Sequence, residues 1–323
     1  MDDKMMRAIR ALAEGDLDRA SAIANGADPA SDDGFVAVDI HSDMTAFECL
    51  GCRNRCCTNI DGPAITPYDW LRIQSYVHNA GWRNLTPTAL DDLVLVEPGI
   101  LPMMKARILA NPDGTLTTCA FLIVVDGWPE GLSRDVYDMR NVGNDWRMLT
   151  ERRVVGTEET SHTACAINPV RPASCVLYPL GRQIAWQGGM TDIQYFMRTD
   201  ADCPGLSAGS RARTWAEVLK ERGYDIAASS AAMHQVNRIM RMLPDSNYSP
   251  LNYHVARAIL YPSMLSGIVL PDTHEAAMTA LGHIEIALRD WLDAGAPLTQ
   301  SGQVLADVQH AILEGKRYEW RSS

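Results

Sequence analysis

The sequence predicts an α+β fold: an irregular cysteine-rich core with short β-hairpins, followed by an all-helical C-terminal extension. Three observations predict it. Eight cysteines are confined to the middle of a 323-residue chain, between Cys49 and Cys203. The same region alternates turn residues with β-branched runs, the signature of hairpins. Residues 207–323 instead repeat apolar positions at three- and four-residue spacing, the period of amphipathic helices.

A chain of this size buries roughly 75% of its unfolded surface, so a hydrophobic core forms without disulfide support. Lys and Arg number 29 against 40 Asp and Glu, a formal charge of −11. That balance lacks the cationic footprint of a nucleic-acid binder and any polybasic membrane anchor. No stretch reaches the ~18 apolar residues of a spanning helix. The opening MDDKMMRAIRALAEGDLDRA is acidic and has no long apolar run, which is unlike a secretory signal. A cytoplasmic location is therefore expected, with an unidentified protein or small-molecule substrate as partner and neither nucleic acid nor membrane.

Three regions follow from the patterning: an N-terminal helical arm and linker over 1–43, a cysteine-cluster domain over 44–206, and a helical domain over 207–323. Met5, Ile9 and Leu12 share a helical face that Gly15 interrupts. Residues 28–43, rich in Asp, Ser, Ala and Gly, read as a linker. Thr66 is a good N-cap before Pro67, and Gly81 is a C-terminal stop. Thr86-Pro87 starts a second helix that Pro98 closes. Asn111-Pro112-Asp113-Gly114 marks one hairpin turn, and Gln187-Gly188-Gly189 another. Residues 126–163 are polar and weakly periodic and read as an insertion. Beyond 207, helices are expected near 211–222, 226–243, 252–261, 272–294 and 300–314. Asp272 with Glu275 forms a capping box for the fourth of these.

The run Cys49-x-x-Cys52-x-x-x-Cys56-Cys57 places four thiols in nine residues. In a reducing compartment such spacing points to metal before disulfide. Thiolates are soft ligands for zinc, copper(I) and iron–sulfur clusters, and a short Cys-x-x-Cys loop lets two sulfurs reach one metal. Cys56 and Cys57 are adjacent, and in extended backbone their side chains point opposite ways. They are then easier to place on different metals, or on different irons, than on one tetrahedral ion. With Cys119, Cys165, Cys175 and Cys203 added, eight thiolates divide naturally into two four-ligand sites.

The later cysteines sit in distinctive fragments: Cys119-Ala-Phe-Leu, then Cys165-Ala-Ile followed by Arg171-Pro172-Ala-Ser-Cys175-Val-Leu-Tyr178-Pro179, then Cys203-Pro204. With the Phe47-led CxxCxxxCC run and Ile65-Thr66-x-x-Asp69-x-x-Arg72, they resemble the YkgJ-type cysteine-cluster family, a zinc- or iron-chelating domain. The resemblance covers about residues 47–206. It implies that all eight cysteines are metal ligands. It also brings a distant similarity to a flagellin lysine N-methylase regarded as an iron–sulfur protein. The expected cofactor is an iron–sulfur cluster of the 4Fe-4S type, one or two per chain, with zinc as the alternative. The expected function is a redox or group-transfer role. A structural zinc module for protein interaction and an N-methylase-like enzyme are the alternatives. The Cys119–Cys165 interval is longer than usual for the family, and the helical C-terminal half lies outside the shared pattern.

Arg171 is the candidate for offsetting thiolate charge through hydrogen bonds at the cofactor. Asp69 and Arg72 read as a first-turn acid and its neighbour on a helix start, and Tyr178 as a core residue. The insertion carries Arg134, Arg140, Arg147, Arg152 and Arg153 with Trp128 and Trp146, which suits a substrate or partner lid as well as a solvated excursion. His162 lies close to Cys165 in sequence, although a lone histidine is more often structural. His274-Glu275 fails as a zinc-protease signature because position 278 is Met. Neither a GxGxxG loop nor a Gly-x-Ser-x-Gly elbow is found. Met233, Met240 and Met242 read as core packing.

Overall fold

The computed structural model describes residues 35–49, 55–57, 62–81, 85–97, 103–110, 117–132, 137–142, 146–148, 161–187, 190–198, 203–243, 250–264, 267–295 and 301–320. Helices and antiparallel strands are both present, an α+β composition. The chain divides into two compact units. One comprises Met1–Cys52 with Ser174–Ile226, the other Arg53–Ala173 with Ala227–Ser323. This cut passes through the cysteine region of 44–206 rather than around it.

The first unit is built on a three-stranded antiparallel sheet, ordered Phe35–Val38, Met190–Arg198, Leu180–Gln187. The last two strands are the hairpin expected around Gln187-Gly188-Gly189, with Leu180 opposite Met197 and Gln187 opposite Met190. The residues at 188–189 lie outside those described. Phe35–Val38 pairs along the hairpin's other edge, so part of the stretch read as a linker is sheet. Its partner is far away in sequence, which is why local composition misses it. Met44–Thr45 pairs with Arg213–Thr214. Thr214 then caps the helix Trp215–Glu221 through a reciprocal box with Glu217. Trp215 from that helix meets Phe47, and both are buried.

The second unit has the larger hydrophobic core. Its helix Pro67–Ala80 starts at Thr66, whose side chain accepts from Asp69 N while Asp69 accepts from Thr66 N. It stops at Gly81, whose φ of 64° is a left-handed conformation that favours glycine. The buried side chains include Trp70, Leu71, Ile73 and Tyr76. Trp70 Nε1 and Gln74 Nε2 both donate to the Pro262 carbonyl, at 3.1 and 2.8 Å. The helices Pro250–Leu260, His274–Asp293 and Gly302–Glu314 complete this core. Three small sheets accompany them. Ala64–Ile65, Met103–Ala106 and Val94–Glu97 form one, and Ile108–Ala110 with Thr117–Cys119 another. Ser161–Cys165, Leu122–Asp126 and Trp146–Met148 form the third.

Several local expectations change. The helix after Thr86 ends at Asp92, and Val94–Glu97 is a strand, because β-branched Val94 and Val96 pair with Ala106 and Met104 instead of continuing a helix. The stretch read as an insertion contributes to the core through Tyr137, Met139 and Val142. The N-cap of the 274–293 helix is Thr273 rather than Asp272. Asp272 instead pairs with Arg140. The arm at 1–34 lies outside the described residues, as do Arg134, Arg152 and Arg153. No described helix is long and apolar enough to cross a membrane.

Candidate metal centre

All seven described cysteines are thiols, none joined in a disulfide; Cys52 lies outside the described residues. They fall into two groups that follow the two units. Cys56, Cys57, Cys119 and Cys165 belong to the larger-core unit, and Cys49, Cys175 and Cys203 to the other.

In the larger-core unit, strand pairing draws the thiols together. Cys119 ends a strand, with its Cα opposite Ile108. After a turn at Ala120-Phe121, the next strand begins at Leu122, whose partner is Cys165. Ala166 N donates to the Phe121 carbonyl at 2.9 Å, closing the corner between the two cysteines. Ala106 N donates to the Pro63 carbonyl, and Gly62, at φ 84°, lies against Ala106 and Ile108. This fixes Gly62 and Pro63 against the strands that lead to Cys119.

The double cysteine itself is not extended. Arg55–Cys57 forms a 3-10 turn, and the Cys56 and Cys57 sulfurs sit on the same side, 3.9 Å apart. That differs from the extended geometry, in which adjacent side chains point opposite ways. Two sulfurs at about 2.3 Å from one tetrahedral ion lie about 3.8 Å from each other, so this pair suits a single ion as it stands.

Burial pushes the Cys119 thiol up to about 12, with the Cys165 and Cys56 sulfurs adding to the shift. Cys165 is pushed up to about 11 by burial, opposed by the nearby Arg171 guanidinium. Tyr137 is raised well above its ordinary value by burial, with Cys165 and Cys57 contributing and Arg171 opposing. Cys56, Cys57, Cys119, Cys165, Tyr137 and Arg171 thus share one electrostatic neighbourhood. The charged groups acting on these two thiols are other thiols and one guanidinium. Sulfur is the ligand type of zinc, copper(I) and iron–sulfur centres. The sulfurs gather as a neighbourhood rather than a finished coordination sphere. Among the described residues no three His, Cys, Asp or Glu side chains converge as ligands would.

Tyr137 is the residue that sequence reasoning misses. Its hydroxyl donates to the Cys165 carbonyl at 2.9 Å and accepts from the Cys165 backbone N–H. Asn168 holds the Tyr137 carbonyl through its amide. Arg171 Nε donates to the Asn168 carbonyl at 3.2 Å, tying the candidate guanidinium into the same segment. Arg72 donates to the Pro169 carbonyl from the neighbouring helix and lies over the Tyr68 ring. Tyr137 sits in a stretch with no periodicity, and its partner is 28 residues away, so no local signal marks it.

The other group is held differently. Glu48 N donates to the Gly205 carbonyl at 2.9 Å, which brings the segments bearing Cys49 and Cys203 side by side. A Cβ on Gly205 would collide with the Glu48 carbonyl, so glycine permits this approach. Arg222 lies over the Phe47 ring and donates to the Tyr178 carbonyl at 2.9 Å, drawing in the helix that carries Cys175. Arg213 adds a bond to the Phe47 carbonyl at 2.7 Å. Three cysteine-bearing segments therefore meet around Phe47.

The other described candidates have partners of their own. Asp69 works as the capping partner of Thr66. Arg140 pairs with Asp138 and Asp272. Trp128 meets Tyr137 edge-on, 5.0 Å between ring centroids. Met240 and Met242 pack against the core. His162 and Arg147 are strand residues whose side chains lie outside the described set.

No family model matches the chain. No curated protein and no solved structure matches it either.

Proposed function

We propose that this chain is an iron–sulfur cluster-binding protein with a redox or group-transfer role. The observation that carries the reading is the neighbourhood of thiols at Cys56, Cys57, Cys119 and Cys165, with the Arg171 guanidinium acting on Cys165. Clusters with four cysteine ligands take such a donor set. The YkgJ-like spacing of all eight cysteines supports the same assignment, with Cys49, Cys52, Cys175 and Cys203 as further ligands. A bound cluster would supply one-electron redox chemistry or an electrophilic iron. The chain's own contribution is to shield sulfur from water, orient Cys165 through Tyr137, and offset thiolate charge with Arg171.

Zinc is the second reading, and a specific observation favours it. The 3.9 Å separation of the Cys56 and Cys57 sulfurs is close to the edge of a zinc–thiolate tetrahedron. Such a centre would be structural, organising a surface for protein interaction. Anaerobic purification followed by iron, zinc and acid-labile sulfide analysis separates the two. Iron with equimolar sulfide and broad visible absorption supports the cluster. A colourless protein with stoichiometric zinc and no sulfide replaces it with the second reading. A protein without bound metal sinks both.

A further inference from the structure

We propose that Cys56 and Cys57 form a redox-active vicinal dithiol, a two-electron site that closes to a disulfide by exchange with a small-molecule disulfide and reopens in excess thiol. Such a site goes beyond the metal reading and does not depend on a bound metal. Among the described residues no three His, Cys, Asp or Glu side chains are grouped to hold a metal. Thiol–disulfide exchange needs only two sulfurs. Arg55–Cys57 forms a 3-10 turn, and it brings the Cys56 and Cys57 sulfurs to 3.9 Å from each other. In extended backbone adjacent side chains point opposite ways, and the chain would first have to turn before the neighbours could react. Here the turn is already made.

Access and chemistry agree with the geometry. Cys56 and Cys57 are both half-buried, whereas Cys119 is buried, and exchange requires that the small disulfide reach the attacking thiol. Cys57 packs against the hydrophobic core, which anchors one member of the pair. In the first step one cysteine thiolate attacks a sulfur of the small disulfide; a mixed disulfide forms and one small thiolate leaves. In the second the neighbouring thiolate attacks the protein-side sulfur, the Sγ–Sγ bond forms and the other small thiolate leaves. The two cysteines give up two protons and two electrons, and the small disulfide takes them up as two thiols. The second step is intramolecular, between groups already side by side. Adjacent Cα atoms are about 3.8 Å apart, short of the roughly 4.4–6.8 Å that disulfides usually span. The closed ring is therefore strained, and strained disulfides are the readily reduced ones. Closure is thus a reversible switch rather than a structural bridge.

The test uses the full-length protein, freed of any metal by reductant and chelator, then equilibrated with oxidised and reduced glutathione, quenched in acid, alkylated and digested with trypsin. Cleavage after Arg55 and Arg72 releases residues 56–72, which hold Cys56 and Cys57 and no other cysteine. In excess oxidised glutathione this peptide should lose two hydrogens and resist alkylation. In excess reduced glutathione it should take up two alkyl groups. Cys56→Ser and Cys57→Ser change half-buried positions, and each should instead keep a glutathione adduct on the remaining thiol, because no neighbour displaces it. In urea, where the turn is lost, closure of the wild-type pair should fall several-fold. A glutathione adduct that persists on the folded wild-type peptide overturns the proposal. So does a bond from Cys56 or Cys57 to another peptide, a peptide still fully alkylated after excess oxidised glutathione, or equal closure in urea. Metal and sulfide content before chelation judges the metal reading separately, so either can fail alone.

Discussion

The two units gather their cysteines by different physics. In the larger-core unit Cys119 and Cys165 are attached to a broad hydrophobic core through strand pairing, with Cys119 buried and Cys165 partly so. In the other unit three backbone segments are clamped by arginine hydrogen bonds and one aromatic ring, Phe47. Burial positions sulfur by packing, which is non-directional and strong in sum. Arginine clamps position it by direction, through bonds that are each worth about 1 kcal/mol net, or somewhat more where a charge takes part. The lesson is that the apolar unit should tolerate loss of single polar contacts, while the clamped unit should not.

The largest expected effects come from removing each unit's organising aromatic. Phe121 is 1% exposed at the corner between Cys119 and Cys165. Phe121→Ala should cost about 3–5 kcal/mol. Phe47 is 3% exposed and meets both Trp215 and Arg222. Phe47→Ala should cost about the same in its own unit. Hydrogen exchange read segment by segment separates them. Phe121→Ala should speed exchange within 53–173 and spare 180–198; Phe47→Ala should do the reverse. Uniform acceleration in both variants would break the comparison.

Alkali should single out the apolar unit. Cys119 and Cys165 have folded values of about 12 and about 11, raised above the ordinary thiol value chiefly by burial. A raised acid is protonated and neutral in the folded chain, so its stabilising share is complete below pH ~8.5 and is lost as pH climbs through the folded values. By pH 11 the metal-free protein should be weaker by on the order of 3 kcal/mol. Urea midpoints between pH 8 and pH 11 measure this. Metal bound as proposed would already hold these sulfurs as thiolates, so the midpoint of a metal-loaded protein should be nearly flat over that range. A metal-free midpoint that does not fall with pH would show that Cys119 and Cys165 are wetter than their burial indicates.

A glycine in each unit offers the next contrast. At Gly62 a Cβ would sit 2.6 Å from the Ala106 carbonyl, and φ is 84°. At Gly205 it would collide with the Glu48 carbonyl. Either alanine should cost about 1–3 kcal/mol. The destinations differ: Gly62→Ala displaces the double cysteine from Cys119, and Gly205→Ala parts Cys49 from Cys203. Metal analysis of both variants should show complementary losses. Identical losses would argue for one shared centre.

What was legible in the sequence follows the range of the interactions. The Thr66–Gly81 helix is readable because a cap, an N1 proline and a left-handed stop are all local. The hairpin of Leu180–Gln187 with Met190–Arg198 is readable for the same reason. Phe35–Val38 is not, because its strand exists only through Met190–Arg198, more than a hundred residues on. The cysteines are conspicuous as residue types, yet their grouping is hidden. The Cys56–Cys57 turn overrides the extended geometry that adjacency suggests, and the cut after Cys52 has no compositional mark. Tyr137 is invisible for a similar reason: its role comes from a partner strand, not from its neighbours.

The smallest contrast uses one motif placed in both settings. Thr66 and Thr214 each open a helix with a complete capping box, to Asp69 and Glu217 respectively. Local chemistry is nearly the same, so propensity alone predicts equal losses on alanine substitution, typically ~1 kcal/mol within a range of about 0.5–2. Burial predicts a difference. Asp69 is 6% exposed, and it also accepts from the Thr66 hydroxyl at 2.7 Å, whereas Glu217 faces solvent. Removing Thr66 takes a hydrogen bond from a carboxylate that water reaches poorly, while Glu217 rehydrates at once. Thr66→Ala should therefore fall near the upper end, about 2 kcal/mol, and Thr214→Ala near the lower, about 0.5 kcal/mol. Chemical denaturation of the two variants checks the ordering. Equal losses would mean that the apolar unit shelters its polar contacts no better than the clamped one does, and the distinction between the two modes of holding cysteine would lose its energetic basis.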